Sequence, residues 1–100
     1  MNFEEKTIWI TGASSGIGRA VALELSKISK RLILSGRNEE ELNNVADRCQ
    51  KNGCSTRIIT FDLQDEKSVT VAAEEVLESE KQIDCLYQFG GISQRSFAKD

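Results

Sequence analysis

Three glycines fall within seven residues, between a short apolar run and an amphipathic stretch, at Gly12, Gly16 and Gly18. The run before them, 7–10, is continuous and rich in β-formers, which is typical of a strand buried on both faces of a parallel sheet. The stretch after them predicts a helix from about Gly16 to Ile28, because its apolar residues recur at three and four positions. We expect its buried stripe to be Ile17, Ala20, Val21, Leu25 and Ile28.

The alternation of strand and helix continues along the chain. Further strands are predicted at 32–34, 57–61 and 83–88. Asn38 and Asp65 are the expected N-caps of the second and third helices, and Asn52-Gly53 should end the second. The apolar stripe of the second helix is Leu42, Val45, Ala46 and Cys49, and that of the third is Val69, Ala72, Ala73, Val76 and Leu77.

The order βαβαβαβ predicts an α/β fold with helices on both faces of a parallel sheet. Each crossover should be right-handed, and the strand order for this wiring is 3-2-1-4, as in a doubly wound Rossmann sheet. A ligand crevice is then expected where the first and fourth strands diverge.

The glycine turn lies where a strand meets a helix, which is the context that a dinucleotide-binding turn requires. Gly12 permits the tight turn, Gly16 lets the backbone approach a pyrophosphate, and Gly18 lets the helix pack closely on the sheet. The N–H groups at the helix N-terminus attract that anion. Ser14 and Ser15 either contribute hydroxyl contacts to the phosphates or only cap the helix.

Arg37 stands near the end of the second predicted strand, where an NAD-specific site places an acid for the ribose 2′-hydroxyl. A guanidinium matches a phosphate in a bidentate manner, whereas an acid would repel it. NADP(H) is therefore the favoured cofactor.

Composition excludes several other classes. The net charge is -3 with no basic block, which argues against a nucleic-acid partner. No apolar run approaches the roughly 20 residues of a membrane span, and the first residues do not resemble a signal peptide, so the cytoplasm is the expected compartment. With no histidine and three cysteines, we expect no metal site and reduced thiols.

The stretch Thr11–Gly18 resembles the nucleotide motif of the compact short-chain dehydrogenase/reductase family. The resemblance implies hydride transfer between NADP(H) and a carbonyl or alcohol substrate. It also implies that Asp62 contacts the adenine amino group and that Leu63 lines the adenine pocket, although from chemistry alone Asp62 could equally be a turn residue. The predicted cofactor-binding residues are Gly12, Ser14, Ser15, Gly16, Ile17, Gly18, Arg37, Asn38, Asp62, Leu63, Gly90 and Gly91.

The end of the fourth predicted strand departs from the family pattern. Gln88 and Phe89 stand where the family has two asparagines, and Gly90 replaces an alanine. The asparagine pair normally ties the central strands together and shapes the cofactor pocket. We therefore expect different packing or an altered cofactor site here, although Gly90 and Gly91 still allow close backbone approach.

The family's catalytic Tyr-x-x-x-Lys pair is absent from these residues. Tyr87 is the single tyrosine, and Gly91 stands four positions later. We expect residues 1–100 to be the N-terminal, dinucleotide-binding half of one truncated Rossmann domain, inactive alone. The full-length parent is expected to be an enzyme and a homo-oligomer.

Three alternatives compete with this interpretation. A non-catalytic or regulatory NADP-binding protein would fit the loss of the asparagine pair. A methyltransferase that uses S-adenosylmethionine would need an acid where Gly36 and Arg37 stand. A structural or partner-binding fragment would leave the glycine turn unexplained.

Overall fold

The computed structural model describes residues 6–14, 16–62, 64–80 and 82–88. Strands and helices alternate through these ranges and confirm the predicted order βαβαβαβ. The elements are β1 (Thr7–Thr11), α1 (Gly16–Leu25), β2 (Arg31–Gly36), α2 (Glu39–Lys51), β3 (Ser55–Thr60), α3 (Glu66–Ser79) and β4 (Cys85–Gln88).

The four described strands form one parallel sheet in the order β3-β2-β1-β4. This is the predicted order 3-2-1-4. In the register, Thr11 of β1 lies beside Ser35 of β2 and Gln88 of β4, and Gly36 lies beside Thr60 of β3. The carboxyl ends of the strands therefore meet at one edge of the sheet, where a doubly wound fold holds its ligands.

Side chains alternate between the two faces of the sheet and build a core on each. One face packs Ile8 and Ile10 of β1 against α1 and α2. The opposite face packs Trp9 of β1 and Ile33 of β2 against α3. Helices on both faces make the sheet doubly wound, as predicted. Because both faces are covered, the strands are apolar along most of their length and do not alternate between apolar and polar residues.

The strand bounds differ from the predicted ones by at most two residues at an end. β1 and β2 extend to Thr11 and Gly36 because backbone pairing continues beyond the apolar residues that the prediction used. β4 begins two residues later than predicted, at Cys85. The preceding residue, Asp84, is nevertheless bound to β1, because its N–H donates to the Thr7 carbonyl (2.8 Å) and its Oδ2 accepts from the Thr7 N–H (2.8 Å).

The prediction for α1 was wrong in its end and in most of its buried stripe. The helix ends at Leu25, and bonds of the tighter i to i−3 type follow, from the Lys27 and Ile28 N–H groups. Ile17 is 70% exposed and Ile28 48% exposed, and Ala20 is exposed, whereas the buried helical residues are Gly18 and Ala22. Small residues face the sheet because they let the helix approach it closely, so the largest apolar side chains do not mark the buried face.

The predicted caps of the other helices are confirmed. Asn38 Oδ1 accepts from the Glu41 N–H (3.0 Å), and the Asp65 side chain accepts from the Lys67 and Ser68 N–H groups. α2 buries its four predicted residues and ends before Asn52. In α3, Ala72 and Val76 are buried as predicted, but Leu77 is 65% exposed, because it is turned away from the sheet.

A network of ion pairs fastens the end of α3 to β2 and β3. Arg31 contacts Glu80 in a bidentate manner, with Nε–Oε1 and Nη2–Oε2 distances of 2.8 Å. Arg57 lies 3.8 Å from Glu80 and 3.3 Å from Glu75. The hydrogen bonds from Arg31 lower the pKa of Glu80 below its ordinary value, while partial burial opposes this, and the same contact raises the pKa of Arg31.

The described helices are at most 14 residues long and fall short of the length and apolarity that a membrane crossing needs.

Candidate nucleotide-binding site

Three loops that carry predicted site residues leave the sheet at its carboxyl edge. They follow β1 at Gly12, β2 at Arg37 and β3 at Asp62. From β1 to β3, each new strand is added on the same side of the one before it. The chain then crosses back and places β4 on the other side of β1, so the order of the strands reverses between β1 and β4. Ligands of doubly wound sheets bind at such a point.

The turn after β1 has the backbone conformation that glycine allows. Gly12 has a φ of 72° and Gly16 a φ of 61°, both in the left-handed region that other residues rarely adopt. Ala13 between them is fully buried, and Gly18 is buried where α1 meets the sheet. The glycines thus reverse the chain sharply and set the first turn of α1 above the end of β1.

The N-terminus of α1 differs in charge from those of α2 and α3. Its first turn contains no acid, whereas α2 begins with Glu39, Glu40 and Glu41 and α3 begins with Glu66. Apart from its chain neighbours and the backbone of its own helix, a Cβ built on Gly16 would meet no atom of the described residues within 4 Å. An anion placed there would find open space and a helix terminus whose partial positive charge no acid of its first turn offsets. Ile17 borders this space and is largely exposed, while Ser15 lies outside the described residues.

The loop after β1 is in direct contact with the end of β2. The Ala13 N–H donates to the Ser35 carbonyl at 3.0 Å. A Cβ built on Gly36 would lie 3.2 Å from Ser14 Oγ and 3.7 Å from Leu42 Cδ2. The absence of a side chain on Gly36 therefore lets Ser14 of the glycine turn lie against the end of β2.

Arg37 follows directly and is exposed. No acid pairs with it within the part of the chain that the structure describes, in contrast to Arg31 and Arg57, which are both held by glutamates. An unpaired guanidinium is suited to a phosphate, and Arg37 directly follows Gly36, which lies against Ser14 of the glycine turn. The Oδ1 of Asn38 accepts the hydrogen bond that caps α2, and this cap orders the segment that carries Arg37.

Asp62 shapes the loop after β3. Its Oδ1 accepts from the Gln64 N–H at 2.9 Å, and its carbonyl accepts from the Asp65 N–H at 2.9 Å. Its own N–H donates to Ser68 Oγ at 3.2 Å. The turn interpretation of Asp62 is thus confirmed as a structural fact, and a contact with adenine stays a prediction. Leu63 lies outside the described residues.

Thr11 closes β1 with a buried hydroxyl that lacks a partner. The residue is 5% exposed, and its Oγ1 has no hydrogen bond to any described residue. The register places it between Ser35 and Gln88. A buried polar atom of this kind calls for a partner from a ligand, a water or another part of the chain. The predicted residues that follow Gln88, namely Phe89, Gly90 and Gly91, lie outside the described residues.

Sequence reasoning assigned roles to Arg37 and Asn38 but none to Gly36 or Trp9. No function was predicted for Gly36, and Trp9 was only one residue of an apolar run. A glycine at a strand end, two positions before a helix cap, was the signal for a close approach. The contact of Trp9 with Ser35 depends on the strand register, which a single sequence does not reveal.

Comparisons with known proteins agree with this geometry. The family model for short chain dehydrogenase matches residues 6–100. The human protein dehydrogenase/reductase SDR family member 7 is 41% identical over 100 residues, which cover 96% of this chain and 30% of that protein. The chain therefore spans under a third of that relative's length.

Two solved structures show the same arrangement with different cofactors. An alcohol dehydrogenase from the archaeon Thermococcus sibiricus, complexed with 5-hydroxy-NADP, has a TM-score of 0.78 and 32% identity, covering 83% of this chain and 36% of its own. An NAD⁺-bound xylitol dehydrogenase has a TM-score of 0.79 and 28% identity, covering 86% of this chain and 33% of its own. With the family model matched over nearly the whole sequence, the chain belongs to the short-chain dehydrogenase/reductase family.

Proposed function

We propose that this chain is the NADP(H)-binding part of an oxidoreductase that moves hydride between NADP(H) and a small carbonyl or alcohol substrate. The observation that carries the choice of NADP(H) is Arg37, an exposed guanidinium at the end of β2 with no acid partner among the described residues. Residues 1–100 are then the N-terminal dinucleotide-binding half of a single Rossmann domain.

The residues at the carboxyl edge fit this cofactor. The open space at Gly16 and the acid-free N-terminus of α1 would hold the pyrophosphate. Arg37 and Ser14 would hold the 2′-phosphate, because Gly36 lets Ser14 lie beside the segment that carries Arg37. Asp62 would orient the adenine while its Oδ1 keeps the loop in place.

When bound, NADP(H) supplies or accepts the hydride. The protein's part within these residues is to bind and orient the nucleotide, since the family's Tyr-x-x-x-Lys pair is not among them. The hundred residues alone are therefore proposed to bind NADP(H) without turning over a carbonyl substrate. The homo-oligomeric state of the longer protein stays a prediction.

The similar structures leave both cofactors open, because one carries an NADP derivative and the other NAD⁺. The choice between them rests on charge. Three glutamates follow Arg37, but they occupy the first turn of α2, where the helix dipole favours acids. None of them stands at the strand end, where an acid would meet the ribose.

Titration calorimetry of the purified protein with NADPH and with NADH tests the proposal. We expect tighter binding of NADPH, and Arg37→Ala should weaken NADPH binding by roughly 5- to 150-fold, as expected for one charge-assisted contact. NADH binding should change far less, because NADH has no 2′-phosphate.

Arg48→Ala is the matched control. Arg48 is an exposed arginine in the last turn of α2, the helix that begins just after Arg37. Its replacement by alanine therefore changes the net charge by the same amount as Arg37→Ala, but far from the site. Equal affinity for both cofactors in the unaltered protein would contradict the proposal. Equal losses in the two variants would reduce the role of Arg37 to general electrostatic attraction.

A second candidate function is a non-catalytic or regulatory NADP-binding protein. The observation that favours it is Gln88, which stands beside Thr11 where the family has an asparagine. The sequence of the gene beyond codon 100 discriminates between the two. A Tyr-x-x-x-Lys pair about 60 residues later, together with NADPH oxidation by the full-length protein, would favour the enzyme.

A further inference from the structure

Trp9 makes two directed contacts beneath the candidate site. It is the single tryptophan of the chain and lies buried on the face of the sheet that α3 covers. Its Nε1–H donates to Ser35 Oγ at 2.8 Å, and this hydrogen bond is buried. Its ring meets that of Phe61 edge to face, with centroids 6.3 Å apart and an interplanar angle of 84°.

These two partners immediately precede two of the site loops. Ser35 is two residues before Arg37, and Phe61 is one residue before Asp62. They are also linked to one another, because the Phe61 N–H donates to the Gly36 carbonyl at 3.0 Å. The contacts thus form a closed circuit that runs from Trp9 through Ser35, Gly36 and Phe61 back to Trp9.

The third site loop joins the same circuit. The Ser35 carbonyl accepts from the Ala13 N–H, so the residue whose side chain binds Trp9 also holds the glycine turn through its backbone. A buried indole N–H and a buried hydroxyl are each costly to leave without a partner, so their mutual hydrogen bond favours one arrangement of the end of β2. Binding sites depend on such support, because a displacement of about 1 Å is enough to weaken them strongly.

We infer that Trp9 is a positioning residue of the nucleotide site, which acts through Ser35 to hold Arg37 where it selects NADP(H) over NAD(H). The inference rests on the proposed function. Trp9 is buried and its directed contacts are with Ser35 and Phe61, so it acts on the cofactor through these neighbours. Its contribution is therefore to selectivity, which depends on where the Arg37 guanidinium stands.

A double-mutant cycle tests this role. Trp9→Phe keeps an aromatic ring against Phe61 and removes the N–H donor, and Ser35→Ala removes the acceptor. Ile33→Val is the control, because Ile33 lies beside Trp9 in the register and in the same core but takes no part in the circuit. For each variant, the affinities for NADPH and NADH are measured together with the free energy of unfolding.

We expect the ratio of NADPH to NADH affinity to fall by roughly 2- to 10-fold in each single variant, the effect of one hydrogen bond. The double variant should show no further fall, because both substitutions break the same bond. Ile33→Val should reduce stability and leave the ratio unchanged. Because Trp9 is the single tryptophan, its emission in Ser35→Ala should shift to shorter wavelength while the protein stays folded.

A ratio in folded Trp9→Phe equal to that of the unaltered protein would overturn the inference, as would additive effects in the double variant. If Trp9→Phe does not fold, Ser35→Ala carries the same test with the same outcomes. An unaltered protein that shows no preference for NADPH would instead overturn the proposed function, which keeps the two failures distinct.

Discussion

Gly36 and Ser14 lie so close together that a Cβ atom on residue 36 would be 3.2 Å from Ser14 Oγ. This contact brings the end of β2, directly before Arg37, against the loop after β1. A separation of 3.2 Å is tight but not forbidden, and the serine hydroxyl is the end of a short side chain that can rotate. The contact therefore constrains the position of Ser14 more than it constrains the stability of the fold.

Gly36→Ala should weaken NADPH binding by roughly 2- to 10-fold while changing the free energy of unfolding by less than about 1 kcal/mol. Gly53→Ala is the opposite case, because Gly53 has a φ of 92° and open space around it. That substitution should cost about 1–2 kcal/mol of stability through backbone strain and leave nucleotide binding unchanged. Calorimetric titration and urea unfolding of both variants check the pair, and an unaltered NADPH affinity in Gly36→Ala would remove Ser14 from the site.

Most of the fold could be predicted from the sequence, whereas the roles of the site residues stay predictions. The strand order followed from the wiring rules for alternating strands and helices. The caps at Asn38 and Asp65 followed from local chemistry, because a cap depends on residues near in sequence. The buried face of α1 did not follow, since close packing on the sheet selected Gly18 and Ala22 over the larger Ile17. Contacts such as Ser14 with Gly36 depend on the strand register and the turn conformation together, and neither is readable from a single sequence.

The ion pair of Glu80 with Arg31 should make stability depend on pH. Its hydrogen bonds hold the pKa of Glu80 below the ordinary value of 4.5, so the unfolded chain takes up the proton at a higher pH than the folded one. The contribution is therefore complete above about pH 4.5 and is lost as the pH falls through the folded pKa. The same contact raises the pKa of Arg31, so Arg31 would lose its contribution only at strongly alkaline pH.

Glu80→Gln should lower the free energy of unfolding by about 1.5–3 kcal/mol at pH 7 and flatten its fall below pH 4.5. Urea unfolding between pH 3 and 7 measures both effects. Glu24→Gln is the control, because the Glu24 carboxylate that pairs with Lys27 is 75% exposed, and such pairs contribute little. Parallel pH curves for the unaltered protein and Glu80→Gln would show that Glu80 is not the titrating group.

Cys49 and Cys54 should resist alkylation in the folded protein. Burial raises the pKa of both thiols, and the neighbouring Cys49 helps to raise that of Cys54 to about 11. At pH 8, roughly a thousandth of Cys54 is then the reactive thiolate. Mass spectrometry of peptides after iodoacetamide treatment in increasing urea should show both sites modified only as the protein unfolds. Modification of either site at the same rate without urea and at full unfolding would contradict their burial.

Removing each of the two helix caps in turn distinguishes an effect on stability from an effect on nucleotide binding. Asn38 caps α2 through Oδ1 with a distance of 3.0 Å to the Glu41 N–H, and Asp65 caps α3 through bonds to Lys67 and Ser68. Asn38→Ala and Asp65→Ala should each cost about 0.5–2 kcal/mol of stability, measured by urea unfolding. Only Asn38→Ala should also weaken NADPH binding, because the α2 cap orders the segment that carries Arg37. Equal NADPH affinities in the two variants would mean that Arg37 is positioned by β2 alone, and that Asn38 serves the helix and not the cofactor.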